Sequence, residues 1–252
     1  MILLFLVIIS FVTSAISAVF GMAGGMILMF GLAWAYPIAQ AMMLHGITQF
    51  VSNAYRYWLL REHTQWSVLP GYIAGMILAL IPALYFISTP DSRFVNAGLG
   101  ILALLALRPP VAKMLDIHRP GRSLLCGFSI STVQFIAGAS GPILDVFYVR
   151  STQQKTQRAT VATKAITQAM SHGVKVIFFW WLLWQKEFQV EDLNGQATAF
   201  LLCGVILGTR SGKGLLDRFE HKNLPAITRK ILFVLGIVFL TRAGMEWMNT
   251  AP

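Results

Sequence analysis

One apolar segment, Ile38–Leu60, carries polar side chains along a single line. They recur at intervals of three and four positions, which places them on one face of an α-helix. They are His45, Thr48, Gln49, Ser52, Asn53 and Arg56. A second apolar segment, Ala159–Trp184, repeats the pattern with Thr160, Thr163, Lys164, Thr167, Gln168, Ser171, His172 and Lys175. Hydroxyl and amide groups donate hydrogen bonds to oxyanions, and the ionisable members are cations or histidines, so the stripes favour a small anion as ligand.

Two interpretations of the stripes are open. Polar residues can hold transmembrane helices together through hydrogen bonds, or they can line a wet substrate path. Fourteen such residues in two stripes favour the path, with these substrate-binding residues: His45, Thr48, Gln49, Ser52, Asn53, Lys164, Thr167, Gln168, Ser171 and His172. Arg56 and Lys175 lie near the segment ends, where long cationic side chains can snorkel to the membrane surface.

The composition requires a membrane protein. Of the 252 residues 56% are hydrophobic and only 12% are charged, and no Asp, Glu, Lys or Arg occurs before Arg56. A soluble fold could not cover its surface with so few charges. The net charge of +10 is spread between apolar segments as a topology signal, so nucleic acid is not expected as a partner. Cys126 and Cys203 lie in apolar segments and are expected to be small hydrophobic residues.

Ten apolar segments predict an all-α polytopic protein with about 8–10 membrane segments. They are Ile2–Phe20, Gly25–Tyr36, Ile38–Leu60, Trp66–Ile87, Phe94–Leu107, Leu124–Ala137, Pro142–Val149, Ala159–Trp184, Ala197–Gly208 and Ile231–Trp247. If all ten cross, fourteen Lys/Arg residues lie on one side and three on the other. Merging the two shortest segments into their neighbours weakens this split to ten and seven. The sharper bias favours five segments per half and both termini outside.

An internal repeat supports two homologous halves, 1–115 and 123–252. The sequence from Ile47 to Asn53 resembles that from Ile166 to His172, 119 residues later. At the same offset His45 matches Lys164 and Arg56 matches Lys175. With an odd number of segments in each half the repeats are inverted, which is typical of secondary transporters.

Glycine-containing turns precede the two shortest segments. Gly21, Gly24 and Gly25 form the first turn, and Gly138 and Gly141 form the second. Glycine and proline break helices, so the turns predict broken helices whose free N–H groups face an anion. Asp145, the one acid deep in a segment, has two open roles: an ion pair with Lys164, or the proton carrier that couples transport.

No enzyme motif is present. The five histidines lack metal-ligand spacing, and the Gly208–Gly214 stretch lacks the Ser/Thr that a phosphate-binding loop carries after its Lys. That stretch is expected in a basic loop that contacts lipid headgroups. No metal and no cofactor are expected. The expected partners are a small anion and membrane lipid, and a homodimer is left open.

The glycine turns followed by Ala/Thr-rich helices resemble the TauE/SafE sulfite exporter family. The positions that carry the resemblance are Gly21, Gly24, Gly25, Pro37 and the segment 41–53, then Gly138, Gly141, Pro142 and the segment 159–172. The resemblance covers nearly the whole chain. It implies secondary transport of sulfite, a sulfonate or a related organosulfur anion across the bacterial inner membrane, with export the commoner direction.

Three other functions are compatible with the residues. A passive anion channel could use the same stripe, although its helices would not need to move. An intramembrane enzyme could use His45, His172 and Asp145. A noncatalytic assembly protein would use the stripes as interhelical contacts alone.

Overall fold

A computed structural model describes residues 2–20, 23–86, 91–105, 107, 115–148, 156–184, 195–218 and 224–249. Ten α-helices occupy this part of the chain, with no strand among the described residues. They are α1 (Ile2–Phe20), α2 (Ala23–Ala35), α3 (Ile38–Leu60), α4 (Leu69–Phe86), α5 (Ser92–Leu105), α6 (Arg122–Ala137), α7 (Gly141–Tyr148), α8 (Gln157–Trp184), α9 (Gly195–Arg218) and α10 (Leu224–Asn249). The prediction of an all-α fold is confirmed.

Each helix overlaps one of the ten apolar segments, but two helices are longer than their segments by nine residues or more. Helix α9 continues through Arg210 to Arg218, where a basic loop was expected; this expectation is wrong. The helix continues because Gly212 packs against Ala15 and Ala18 of α1, so tertiary packing extends it past its apolar part. Similarly, α10 begins at Leu224, ahead of the apolar segment that starts at Ile231.

Apolar side chains lie on the outside of the bundle as well as in its core. Four tryptophans, Trp34, Trp58, Trp66 and Trp184, are more than 60% exposed. By length and composition one helical stretch among the described residues, Trp66–Tyr85, is long and apolar enough to cross a membrane. Four others are apolar but shorter: Ile2–Ala18, Gly24–Ala35, Ser92–Leu105 and Arg122–Ala137. The number of crossings stays a prediction.

Close contacts at glycines show the direction in which neighbouring helices run. Helix α1 packs along α9, and α4 packs along α6. Gly204 of α9 lies against Val7 of α1, and Gly212 lies against Ala15. Both numbers rise together, so α1 and α9 are parallel. In the same way Gly71 of α4 lies against Leu124 of α6, and Gly75 lies against Phe128, so these helices are parallel too.

Two other pairs are antiparallel. Helix α5 packs along α10, and a Cβ on Gly100 would lie 3.0 Å from Gly236 O, while one on Gly236 would lie 3.3 Å from Gly100 O. Phe94 at the start of α5 stacks edge-on against Trp247 near the end of α10. Helix α3 packs along α8, and Gly46 in the first half of α3 contacts Val176 in the second half of α8.

Candidate functional site

The antiparallel contact of α3 with α8 brings the two polar stripes together in the interior. Nine of the ten predicted substrate-binding residues are at least nine-tenths buried, and the tenth, Lys164, is partly buried. The His45 and His172 rings meet with their centroids 5.4 Å apart at an interplanar angle of 70°. The polar faces of the two helices therefore point at each other.

A polar cavity lies where these stripes meet the two glycine-containing turns. From the first turn and its flanks come Ser17, Gly25 and Met26, and from the second turn come Ala139, Ser140 and Gly141. The stripes contribute His45, Gln49, Gln168 and His172. The space is about 10 Å³ for the centre of a water-sized sphere, which is room for about one water molecule. The cavity must widen to admit a larger ligand.

Two residues that line the cavity each carry a buried polar atom without a hydrogen-bond partner. These atoms are Gln49 Nε2 and Ser140 Oγ, in residues that are 4% and 1% exposed. A buried, unsatisfied polar group costs about 1–3 kcal/mol, so a structure tolerates one where a ligand or water satisfies it. The amide nitrogen of Gln49 can only donate, and a serine hydroxyl can also donate. Both atoms suit an anion in the cavity.

A hydrogen-bonded series joins the two turns across the cavity wall. His45 Nε2 lies 2.9 Å from the carbonyl oxygen of Gly25, and because a carbonyl only accepts, Nε2 carries the proton. His45 Nδ1 is then an acceptor, and Lys175 Nζ donates to it at 3.1 Å. Lys175 Nζ also donates to the Gly138 carbonyl at 2.8 Å. Two side chains thus connect a carbonyl of the first turn to a carbonyl of the second.

Lys175 and Arg56 were expected near the membrane surface, and the structure buries both. Lys175 is 0% exposed and Arg56 is 5% exposed. The expectation was that both side chains start near a helix end and extend to the membrane surface. It is wrong for Lys175 because α8 continues nine residues further, to Trp184, and Lys175 faces α3 there. Arg56 lies on the buried face of α3, which ends at Leu60.

The second turn is built by a left-handed glycine. Gly138 has φ +78° and its N–H donates to the Gln134 carbonyl at 3.0 Å, which ends α6. Only glycine adopts this conformation without strain. Ser140 O then accepts from Ile143 N at 3.1 Å and begins α7. Of the residues predicted for the first turn, Gly21 lies outside the described residues, and Gly24 and Gly25 lie in the first turn of helix α2 instead of before it. Gly24 packs so closely on α1 that a Cβ would overlap the Thr13 carbonyl oxygen.

Of the ten predicted substrate-binding residues, four line this cavity and six do not. Thr48 and Thr167 donate to backbone carbonyls of their own helices, Leu44 O at 2.5 Å and Thr163 O at 3.0 Å. Ser52 bonds Thr209 of α9 at 3.2 Å, and Ser171 bonds Tyr72 of α4 at 2.7 Å. The contacts of Ser52 and Ser171 join different helices, as expected if polar residues of the stripes hold transmembrane helices together.

Lys164 and Asp145 form an ion pair between α8 and α7. Both side chains are largely buried, at 13% and 18% exposure. Lys164 therefore has a counter-ion inside the protein, whereas the ammonium of Lys175 has a histidine and a carbonyl as its acceptors in the described structure. Lys175 is the more available source of positive potential for the cavity.

Two cavity residues that the spacing did not identify, Ser17 and Ser140, have only weak signals in the sequence. Ser140 stands inside the glycine turn, and Ser17 stands seven residues before Gly24, at helical spacing on a face with Ser10 and Thr13. Gln134, whose amide nitrogen lies 3.1 Å from His172 Nε2, has no equivalent signal. Among the described residues no group of three or more His, Cys, Asp or Glu side chains is placed to hold a metal ion.

Comparison with known proteins gives a family. A search of curated proteins finds no match, and a search of solved structures finds none either. The family model described as "Sulfite exporter TauE/SafE" matches residues 6–239 of the 252, so it spans both turns, both stripes, all of α2–α9 and parts of α1 and α10. This is a family of membrane transporters and not of enzymes. The chain belongs to the TauE/SafE sulfite exporter family.

Proposed function

We propose that the protein is a secondary transporter that carries a small oxyanion, sulfite or an organosulfonate, across the bacterial inner membrane in the export direction. The observation that carries the proposal is the buried cavity at which both turns and both stripes meet. Gln49 and Ser140, which line this cavity, each have an unpartnered donor, and Lys175 donates to His45 in its wall. Donors with a nearby buried cation suit an anion, and the family supplies the sulfur oxyanions as substrates.

The helix packing supports two inverted halves, α1–α5 and α6–α10. If α1 corresponds to α6 and α4 to α9, the parallel contact α1–α9 corresponds to the parallel contact α6–α4. The contacts α3–α8 and α5–α10 each correspond to themselves and are antiparallel. An inverted two-fold relation requires this set of directions, and five helices per half produce it. We infer that the glycine turns are breaks near the midplane, one in each half.

Transport by this arrangement requires the cavity to open in turn to each side. The present cavity holds about one water molecule, so the conformation is closed around the site. Opening it means that a turn moves away from the stripe helices. The bond from His45 to Gly25 holds the first turn, and the bond from Lys175 to Gly138 holds the second. An anion that accepts the His45 Nε2 proton would take the place of the Gly25 carbonyl.

Counterflow in liposomes tests the proposal and separates it from the passive channel. Purified protein is reconstituted into vesicles loaded with unlabelled sulfite and diluted into labelled sulfite. A carrier accumulates label transiently above equilibrium, while a channel only equilibrates it. Empty vesicles and vesicles with the Gln49→Ala, Ser140→Ala protein are the controls. Uptake that never exceeds equilibrium would support the channel, and absence of any flux for sulfite, methanesulfonate and taurine would overturn the proposal.

A further inference from the structure

Arg56 is a buried cation whose donors are largely unused. Its side chain is 5% exposed, and its Nε and Nη2 atoms have no hydrogen-bond partner. The third nitrogen, Nη1, donates to Asn53 Oδ1 at a long 3.4 Å. Burial of an unpaired charge is costly, and a buried guanidinium normally has each N–H satisfied. The two unpartnered atoms therefore indicate a ligand.

The unpartnered atoms are the pair that binds oxyanions best. Nε and Nη2 lie on one edge of the planar guanidinium and point the same way, so they can donate two parallel hydrogen bonds to two oxygens of one anion. Within the described residues no carboxylate lies within ion-pair distance of Arg56. Asp145, the acid of the neighbouring helix α7, is engaged by Lys164. The counter-ion of Arg56 has to come from elsewhere.

Polar side chains lead from Arg56 to the central cavity along α3. Asn53, one turn before Arg56, donates from Nδ2 to the Gln49 carbonyl at 2.8 Å. Gln49, one turn earlier again, lines the cavity. The seven residues from Gln49 to Arg56 span about 10 Å of helix. Polar side chains therefore occupy this face of α3 from the guanidinium to the cavity.

The repeat places a second cation at the equivalent point on the other side. Gln49 and Gln168 both line the cavity, and Arg56 follows the first by seven residues as Lys175 follows the second. Because α3 and α8 are antiparallel, the two cations lie in opposite directions from the cavity. Arg56 lies towards the membrane face that carries Arg61, and Lys175 lies towards the opposite face. The charge therefore flanks the cavity on both sides.

We propose that Arg56 forms a second oxyanion site, between the central cavity and the face that carries Arg61. Its ligand class is an anion with at least two oxygens on one centre, such as sulfite or a sulfonate, bound by the Nε and Nη2 edge. The inference rests on the proposed transport function and adds that the anion is captured from the Arg61 face by Arg56 before it enters the cavity. A spherical anion such as chloride gains one contact where an oxyanion gains two.

Transport measured separately from each face tests the site. The unmodified protein, the Arg56→Lys variant and the Arg56→Gln variant are each reconstituted in both orientations, so that uptake can be measured from either face. Labelled methanesulfonate is the transported anion. From the Arg61 face we expect the KM to rise at least about tenfold in Arg56→Gln and somewhat less in Arg56→Lys, which keeps the charge but lacks the fork. From the opposite face the KM should change less than about twofold. A purely structural role for Arg56 would change both faces alike.

Arg61→Gln is the matched control. Arg61 lies five residues beyond Arg56 but is exposed, and it bonds the Trp58 carbonyl at 2.8 Å. Its variant removes one positive charge from the same face and should leave both KM values unchanged. Equal KM changes from the two faces in the Arg56 variants would overturn the site while leaving the transport function standing. Absence of flux in the unmodified protein would instead overturn the transport function.

A binding measurement decides the case in which neither Arg56 variant folds. Calorimetric titration of the unmodified protein in detergent with methanesulfonate should give two anions per chain at saturation, one in the cavity and one at Arg56. A stoichiometry of one would contradict an independent second site.

Discussion

Replacing Lys175 by methionine should weaken anion binding about thirtyfold. The lysine is fully buried behind the cavity wall, and His45 lies between its ammonium and the cavity. The 3.1 Å from Nζ to His45 Nδ1, the width of the imidazole and one further hydrogen bond place an anion roughly 8 Å from the charge. At an effective dielectric constant of about 20, Coulomb's law gives about 2 kcal/mol for two unit charges at that distance. This free energy corresponds to about a thirtyfold change in Kd.

The assay is equilibrium binding of labelled methanesulfonate to purified protein in detergent. A sulfonate keeps its charge at every pH used, so the change in affinity reports the protein and not the ligand. Lys175→Arg restores the charge and should recover most of the affinity. Lys230→Met, at an exposed position on α10, removes a lysine with the same change of shape and should have no effect.

Stability has to be followed in the same preparations. The methionine leaves His45 Nδ1 and Gly138 O without their donor, and each buried acceptor costs about 1–3 kcal/mol. Loss of a desolvated charge offsets part of that cost. We therefore expect a lower melting temperature in a protein that is still monodisperse. A Kd within threefold of the original in folded Lys175→Met protein would refute the role of this charge in anion binding.

Three further predictions concern the turns, the ion pair and the topology. A Cβ on Gly25 would lie 3.4 Å from Gln49 Oε1, which is an ordinary contact, so the Gly25→Ala protein should fold. It should lose transport because the added methyl group takes up space in the cavity that Gly25 lines. Gly24→Ala should lower the melting temperature, because its Cβ would overlap the Thr13 carbonyl oxygen. Asp145→Asn should cost about 1–3 kcal/mol of stability because it leaves Lys164 unpaired in a largely buried site, and retained pH-gradient-driven accumulation in that variant would exclude Asp145 as the proton carrier. A single cysteine is placed at position 249 or 214 of a cysteine-free protein, and spheroplasts are treated with a membrane-impermeant reagent. Because both termini are predicted to lie outside, position 249 should be labelled and position 214 should not. The reverse labelling would contradict this orientation.

Periodicity was enough to predict the helices and the buried polar faces of α3 and α8. The spacing of three and four placed His45, Gln49, Gln168 and His172 on buried faces, and all four line the cavity. The boundaries were less well predicted where packing extended a helix. Helix α9 runs through a basic stretch because its glycines fit against the backbone of α1, and composition carries no record of such a fit.

Side-chain partners could not be predicted from spacing. Thr48 and Thr167 share the stripe with the cavity residues, but a threonine in a helix can donate to the carbonyl three or four residues earlier, and both do so here. Lys164 was expected to bind the substrate, and it pairs with Asp145, which was one of the two roles left open for that acid. Lys175 is buried because α8 passes beside the second turn, where its ammonium donates to the Gly138 carbonyl. The repeat at an offset of 119 residues does not predict this contact.

Close backbone contacts hold neighbouring helices together, and at Gly24 the same kind of contact holds the first turn against α1. At Gly75, Gly208 and Gly100 a neighbouring helix lies so close that a Cβ would meet its backbone, and such contacts permit little sliding. Each turn is joined to the stripe helices by one hydrogen bond in the series through His45 and Lys175. Breaking both costs about 1–3 kcal/mol net, and an anion that bonds His45 and Gln49 can return a similar amount. Separation of the turns from the stripe helices is therefore the change that an anion's binding free energy can drive.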